Sequence, residues 1–468
     1  MLNNDKLREE CAVFGVCLKT DEAVGVTYNG LISLQHRGQE GAGIAVVKDQ
    51  RIFCRKRPGL VTDVFADGKL NQLPNGSVAV GHACYSTNGC GGINDLGPHV
   101  SEYLTGRVAV AHNGGVTNAS EIRDYLYERG VRFAGVSNSE IISSFIAHCT
   151  LDESNTVKGS IKAAQQMKGA FSLVIATGKN RLIAIRDATG FRPLCIGESE
   201  LGIAIASEGC ALESCGFNFV RDVLPGEVVV VEDGVLNSKG ILLKEKEPKR
   251  GLCIFEYVYF ARPDSTIDEL SVYDARRKMG QILAEEHPVE ADLVCGVPDS
   301  GLEAAYGYSW KSGIVLGAAF VKNRYIGRSF IYPTQAQRDS AVKLKLNVLA
   351  ASIKGKRIVL IDDSIVRGTT SAKIIHNLKA AGAKEVHLRI SSPPIKHVCN
   401  YGANIDDEKN LIANQMSIDE ICKKIGADSL GFISLQGLKA ACGKSALNLC
   451  TACFNGCNLH CYEKEGAK

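Results

Sequence analysis

Arg357-Ile-Val-Leu-Ile-Asp-Asp-Ser-Ile-Val-Arg-Gly-Thr-Thr370 decides the fold of the second half of this chain. An apolar run, Ile358 to Ile361, ends in two adjacent carboxylates, Asp362 and Asp363. The turn Gly368-Thr369-Thr370 then opens a helical pattern from Ser371 to Ala381. The run predicts a buried parallel strand. A strand feeding a polar loop and a helix N-terminus offers free backbone N–H groups and the positive end of the helix dipole to a phosphate. The aspartates cannot serve that phosphate directly; they suit ribose hydroxyls, or a Mg²⁺ bridging ligand oxygens. A sugar phosphate with a metal is the expected ligand, with Ser364, Arg367, Gly368, Thr369 and Thr370 as its binding loop. An ordinary strand–helix unit accounts for the apolar run but not for two carboxylates at its tip.

Working outward, Leu293–Val297, Val315–Phe320, Ile358–Ile361 and Val386–Ile390 are strand-like runs separated by helical segments, which implies a parallel α/β sheet. Gly296-Val-Pro-Asp-Ser-Gly301 follows the first of them, and its small residues let backbone amides approach a pyrophosphate. Lys322-Asn-Arg-Tyr-Ile-Gly-Arg-Ser-Phe-Ile331 carries three cations, Lys322, Arg324 and Arg328, and a glycine hinge. It is expected to close over the anion and exclude water; on composition alone a solvated surface loop is the competing account. The first half reads differently. Short glycine-punctuated strands (Cys11–Leu18, Gly43–Val47, Ser77–Gly81, Arg107–Ala111, Phe171–Ala176, Leu182–Arg186, Glu227–Val231) alternate with grouped helices at Asp21–His36, Glu121–Glu128, Asn138–His148 and Ser160–Met167. That order predicts stacked antiparallel sheets covered by helices. The charged connector Lys244–Arg250 places the boundary between a domain ending at Leu243 and one starting at Gly251.

With 468 residues, two or three domains are expected. A net charge of +3 with no long Lys/Arg block argues against nucleic acid. No apolar stretch approaches the roughly 20 residues that span a bilayer, and the start Met1–Glu10 is too charged for a secretory signal. A soluble cytoplasmic protein is expected. Eighteen cysteines without such a signal argue against a disulfide framework. Cys17, Cys54, Cys195 and Cys295 sit in strand-like runs as small core residues. Cys450-x-x-Cys453 has metal-type spacing, and Cys457 and Cys461 continue the run.

The string around Asp362 resembles the signature of type I phosphoribosyltransferases. Together with Glu10-Cys-Ala-Val-Phe-Gly15, Phe219–Gly226, Phe255–Ser265, Arg389–Pro394 and Cys450-Thr-Ala-Cys453, it makes the chain similar, over nearly its whole length, to the glutamine amidophosphoribosyltransferase family. The resemblance implies an N-terminal-nucleophile αββα sandwich over residues 11–243. A type I phosphoribosyltransferase α/β domain with a C-terminal iron–sulfur segment would follow over residues 251–468. It implies transfer of ammonia from glutamine to phosphoribosyl pyrophosphate (PRPP) in purine synthesis, inhibition by purine nucleotides and a homo-oligomer. Mg²⁺ would sit at Ser300, Asp362 and Asp363. Residues 1–10 would be a propeptide whose removal frees the Cys11 amine to activate its own thiol, although the residues alone fit a buried strand cysteine equally well. Asn113 and Gly114 would be the oxyanion donors. In the family's iron–sulfur branch, positions matching Cys253, Cys399, Cys450 and Cys453 hold a [4Fe–4S] cluster; a local zinc site using Cys457 and Cys461, or reactive surface thiols, are the competing accounts.

Two departures matter. Cys84 stands where the family has an arginine for the glutamine α-carboxylate, and Asn138 where it has an aspartate for the α-ammonium. Gly115 replaces a usual asparagine. These changes predict weakened glutamine use, with free ammonia or another amide as donor unless Arg37 or another cation compensates. A transferase using a different amine, and a non-catalytic PRPP-sensing regulator, are the rival functions; the cationic loop disfavours the second.

Overall fold

The computed structural model describes residues 11–85, 92–104, 106–238, 251–323, 346–403, 407–443 and 449–457. The expected propeptide 1–10, the connector Lys244–Arg250, the cations Arg324 and Arg328, and Cys461 lie outside these residues.

The first half forms two antiparallel sheets. Strands β1 (Cys11–Leu18), β2 (Gly41–Lys48), β3 (Arg51–Pro58) and β4 (Val78–Cys84) belong to one; β5 (His99–Tyr103), β6 (Gly106–Val116), β7 (Gly169–Thr177) and β8 (Arg181–Arg186) to the other. Strands β9 (Cys195–Ser199), β10 (Gly202–Ala206) and β11 (Asn218–Asp222) return to the first sheet, and β12 (Val228–Glu232) and β13 (Val235–Ser238) to the second. The orders are β11-β9-β10-β1-β4-β2-β3 and β13-β12-β8-β7-β6-β5.

The strands are apolar on both faces because each sheet is covered twice. Val13, Cys17, Val78 and Val80 of the first sheet pack between the sheets with Ala109, Ala111 and Val174 of the second. Their alternates Ala12, Phe14 and Val16 pack outward with Ala23 and Leu31 of the helix Ala23–Ser33. On the other side Val108 and Val110 meet the helices Ala119–Glu128 and Asn138–Glu153. The period-2 alternation of strands therefore yields four layers, helix–sheet–sheet–helix.

Downstream, β14 (Leu252–Cys253) is followed by the short hairpin β15 (Thr266–Ile267) and β16 (Leu270–Ser271). A four-stranded parallel sheet then forms from β17 (Leu293–Gly296), β20 (Arg357–Asp362), β21 (Glu385–Ile390) and β22 (Ser429–Phe432), in that order. Helices cover both faces, Val272–Glu286 and Leu302–Ser312 on one, Thr369–Ala380 and Ile418–Ile425 on the other. Last, β23 (Leu449–Cys450) returns to pair in parallel with β14.

One expected strand is different. Val315–Phe320 gives only an isolated parallel bridge, Val294 to Leu316. Phe320 instead begins β18 (Phe320–Lys322), which pairs antiparallel with β19 (Leu346–Val348) outside the parallel sheet. The segment runs close against β17, bonding through Val294 N to Val315 O and Gly317 N to Val294 O, and a Cβ at Gly317 would sit 2.6 Å from Leu293 Cδ1. Strand β22 has no counterpart in the sequence expectation, since Ser429-Leu-Gly-Phe432 is short and half polar. No helix among the described residues is long and apolar enough to cross a membrane.

Candidate functional site

At the carboxyl edge of the parallel sheet, β20 delivers Asp362 and Asp363 into the interior, 2% and 0% exposed. The Asp363 carboxylate accepts from Ser300 Oγ at 2.5 Å and from Ser364 Oγ at 2.6 Å. The Asp363 amide donates to Asp362 Oδ1 at 3.0 Å. One carboxylate thus joins the loop after β17 to the loop after β20. Gly301 permits that contact, because a Cβ there would lie 2.4 Å from Ile361 O. Behind the loop, Gly368 at φ +81° starts the helix Thr369–Ala380, with Thr369 exposed and Arg367 and Thr370 half-buried. Lys322 pairs with Asp299 of the Gly296–Gly301 loop, so the first cation of the expected flap already reaches the loop expected to hold pyrophosphate. An oxygen-only donor set beside a helix N-terminus suits a hard cation and an anionic ligand together. No group of three or more His, Cys, Asp or Glu among the described residues could hold a metal ion unaided; two aspartates and a serine leave coordination to be completed by ligand oxygens and water, the usual arrangement for Mg²⁺.

The second site lies at one end of the sandwich. Alternation along β1 and β4 places Cys11, His82 and Cys84 on the inter-sheet face, and Asn113 follows Ala109 and Ala111 on the facing side of β6. Cys11 and Cys84 are directly opposed in register and form a small apolar cluster with Leu96. A hydrogen bond from the Cys84 thiol draws Cys11 down to about 5 against the cost of burial, with His82 and Arg192 adding positive potential. Burial opposes protonation of His82, but the Cys11 thiolate outweighs it and raises the imidazole. His82 Nε2 donates to His112 O at 2.8 Å. His112 itself is held neutral, down to about 3, by burial and by the charges of His82 and Arg192. Gly114 adopts φ +131°, and a Cβ would lie 2.3 Å from Ala170 O. That position on β6 takes glycine alone.

Charged groups lie around Cys84 and Asn138, the positions expected from the sequence to face an amino-acid donor. Arg37 cannot compensate for Cys84, since it is fully enclosed between Glu208 and Glu256. Lys56 is the cation that sequence reasoning missed: its Nζ donates to Leu96 O at 2.5 Å, and it feels Cys84, Asp95 and Glu140. Asn138 opens the helix Asn138–Glu153 behind the cap Ser137. Asp95, the acid beside it, accepts from the Val136 and Ser137 amides at 2.7 and 3.1 Å.

Between the two halves runs a buried charged chain. Glu256 accepts from Arg37 Nη2 at 2.6 Å and from Arg192 Nη1 at 3.1 Å, and Glu208 accepts from Ser265 Oγ at 2.7 Å and the Arg262 amide at 2.9 Å. Nothing in the local sequence pattern signals it, because its links join residues from 54 to 219 positions apart. Close by, Cys253 and Cys450 are neighbours across β14 and β23, with Cys453 buried beside them and Cys399 packed against the same cluster. Burial, then mutual repulsion, pushes Cys253 and Cys453 well up, and burial pushes Cys450 to about 12. None of the four is in a disulfide. The four expected ligands converge, whereas Cys457 is half-buried at the end of the described chain.

Residues 96–214 match the model of a glutamine amidotransferase domain. The chain is 44% identical over 457 residues to the amidophosphoribosyltransferase of Synechocystis, covering 97% of this chain and 91% of that one. It superposes on a solved structure of the allosteric regulatory enzyme of purine biosynthesis with a TM-score of 0.88, 41% identity and 96% of each chain covered. A second solved structure is the glutamine PRPP amidotransferase from B. subtilis complexed with ADP and GMP. It gives a TM-score of 0.87 at 40% identity, covering 96% of this chain and 97% of that one.

Proposed function

This chain belongs to the amidophosphoribosyltransferase family, and we propose that its chemistry divides between the two sites described. The reaction forms 5-phosphoribosylamine from PRPP and ammonia in purine synthesis, with pyrophosphate leaving C1 of the ribose. The observation that carries the assignment of the PRPP site is the Ser300–Asp363–Ser364 junction, which ties two carboxyl-edge loops together beside a helix N-terminus. Asp362 and Asp363 orient the ribose and its metal, the Gly368–Thr370 turn takes the 5-phosphate on backbone amides, and Lys322, with Arg324 and Arg328, closes over the pyrophosphate. Mg²⁺ held by Ser300, Asp362 and Asp363 would supply charge neutralisation for the departing pyrophosphate.

At the other site Cys11 would attack an amide carbonyl, with Asn113 and the Gly114 amide receiving the oxyanion. Removal of residues 1–10 would add the α-amine as base. The Cys253, Cys399, Cys450 and Cys453 thiols fit a [4Fe–4S] cluster. Cys253 on β14, Cys450 and Cys453 on the returning segment, and Cys399 packed against them bring four sulfurs into one buried cluster, the donor set such a cluster takes. The cluster would tie the C-terminal segment to the start of the second half. Regulation by purine nucleotides, cytoplasmic location and a homo-oligomeric state belong to the same proposal.

A second reading concerns the nitrogen donor. Cys84 faces Cys11 directly and Arg37 is committed elsewhere, so glutamine has lost its usual carboxylate partner and ammonia is favoured. Pyrophosphate release from PRPP, measured with ammonium and then glutamine, tests both statements. Turnover with ammonium is expected, with glutamine effective only at far higher concentration than in the family. No release with either donor would overturn the assignment.

A further inference from the structure

We propose that Cys11 and Cys84 form a reversible disulfide, making the nucleophile of the first half a site of oxidative modification by hydroperoxides. The inference rests on strand register. Directly opposed residues of an antiparallel pair have Cα atoms about 4.5–5.5 Å apart and side chains on one face, inside the 4.4–6.8 Å that a disulfide spans. Cys11 and Cys84 are such a pair. Each lies at a strand end, the first residue of β1 and the last of β4, where the backbone can close the Cβ separation to about 3.8 Å with the least disturbance of the ladder.

Their surroundings favour the reaction. Neither is in a disulfide, and both are nearly enclosed with Leu96 in a cluster of three. The Cys84 thiol already donates to Cys11, and His82 stands beside them. A thiolate with a second thiol in contact is the arrangement of redox-sensitive cysteines. Three other buried strand cysteines lack it: Cys17, Cys195 and Cys295 are pushed up by burial and have no cysteine opposite in the strand pairings.

The Cys11 thiolate attacks one peroxide oxygen; an S–O bond forms, the O–O bond breaks, and hydroxide leaves and is protonated to water. Sulfur is oxidised by two electrons and the peroxide reduced by two. The Cys84 sulfur then attacks the Cys11 sulfenic acid, forming the S–S bond and breaking the S–O bond. The second hydroxide leaves with the proton of Cys84 as water. Two thiols and one hydrogen peroxide give one disulfide and two waters. Thiol reductants reverse it. If Cys11 attacks the amide donor, as proposed above, the bond would silence that half while leaving the distant PRPP edge open to ammonia; the cross-link itself does not depend on that function.

The full chain, purified anaerobically, would be treated with one equivalent of hydrogen peroxide, blocked with N-ethylmaleimide and digested without reductant for mass spectrometry. The expected product is a peptide containing Cys11 joined to one containing Cys84, lighter by two hydrogens than their sum and separated by dithiothreitol. In Cys84→Ser, Cys11 should instead be trapped by dimedone as the sulfenic acid and pass on to the sulfinic acid. Recovery of wild-type Cys11 as unmodified thiol, as sulfinic acid with Cys84 alkylated, or joined to another cysteine would overturn the proposal. The wild-type measurement decides the matter even if the variant does not fold.

Discussion

If Cys84 and Asn138 line the proposed amide-donor pocket, charges placed at those two positions should shift the protein toward glutamine use. Cys84→Arg places a guanidinium opposite Cys11, at the inter-sheet end that also holds Asn113. A charge-assisted hydrogen bond contributes about 1.5–3 kcal/mol, which is about 10- to 150-fold in kcat/KM for glutamine. Lys56 already lies within electrostatic reach of position 84, so repulsion between cations keeps the single variant near the lower end. Asn138→Asp supplies the missing anion at the first residue of its helix, where the dipole favours a carboxylate by about 0.3–1 kcal/mol. It should therefore not destabilise the fold. The double variant is expected to improve glutamine use by about 10²–10³-fold, within the range of about 3–6 kcal/mol for two such bonds. The readout is the ratio of glutamine- to ammonium-supported pyrophosphate release, which corrects for any general loss of active protein. Wild-type turnover at submillimolar glutamine equal to that with saturating ammonium would refute the reasoning. So would a correctly folded double variant whose ratio is unchanged.

Three further outcomes are expected. Glu256→Ala removes a carboxylate shared by two buried guanidiniums, Arg37 and Arg192, and should cost about 3–5 kcal/mol in urea denaturation; a loss below about 1 kcal/mol would show that the network is not holding the halves together. Because Cys84 holds the Cys11 thiolate down to about 5, iodoacetamide should label Cys11 with a midpoint near that pH; Cys84→Ala removes the donor, disfavours the thiolate and should move the midpoint upward. Anaerobically purified protein should contain about four irons and four acid-labile sulfides per chain, both lost in Cys450→Ser; stoichiometric zinc without sulfide would contradict the cluster.

The parallel-sheet edge was legible because its information is local. Ile358–Ile361, the paired aspartates and the Gly368 turn are contiguous, and strand, loop and helix follow in that order. Gly296–Gly301 was readable for the same reason, though its hydrogen bond to Asp363 was not. Cys253 and Cys450 were matched only through family resemblance; the parallel pairing of β14 and β23 supplies the physical reason for their proximity. The Arg37–Glu256–Arg192 chain was hidden, since buried ion pairs formed across the fold leave no periodic trace. Lys56 was hidden by its exposed-looking neighbours in Arg51-Ile-Phe-Cys-Arg-Lys-Arg57. Cys84 was noticed as a departure, but only the β1–β4 register turns a missing arginine into a partner for Cys11.

Isothermal titration of the intact protein with PRPP and Mg²⁺, compared with Asp362→Asn/Asp363→Asn, tests the central claim most directly. Wild type should bind one PRPP per chain in a Mg²⁺-dependent manner, and the double variant should lose that heat while retaining its circular-dichroism spectrum. Equal binding by both proteins would contradict the placement of the activated ribose at the carboxyl edge of the parallel sheet.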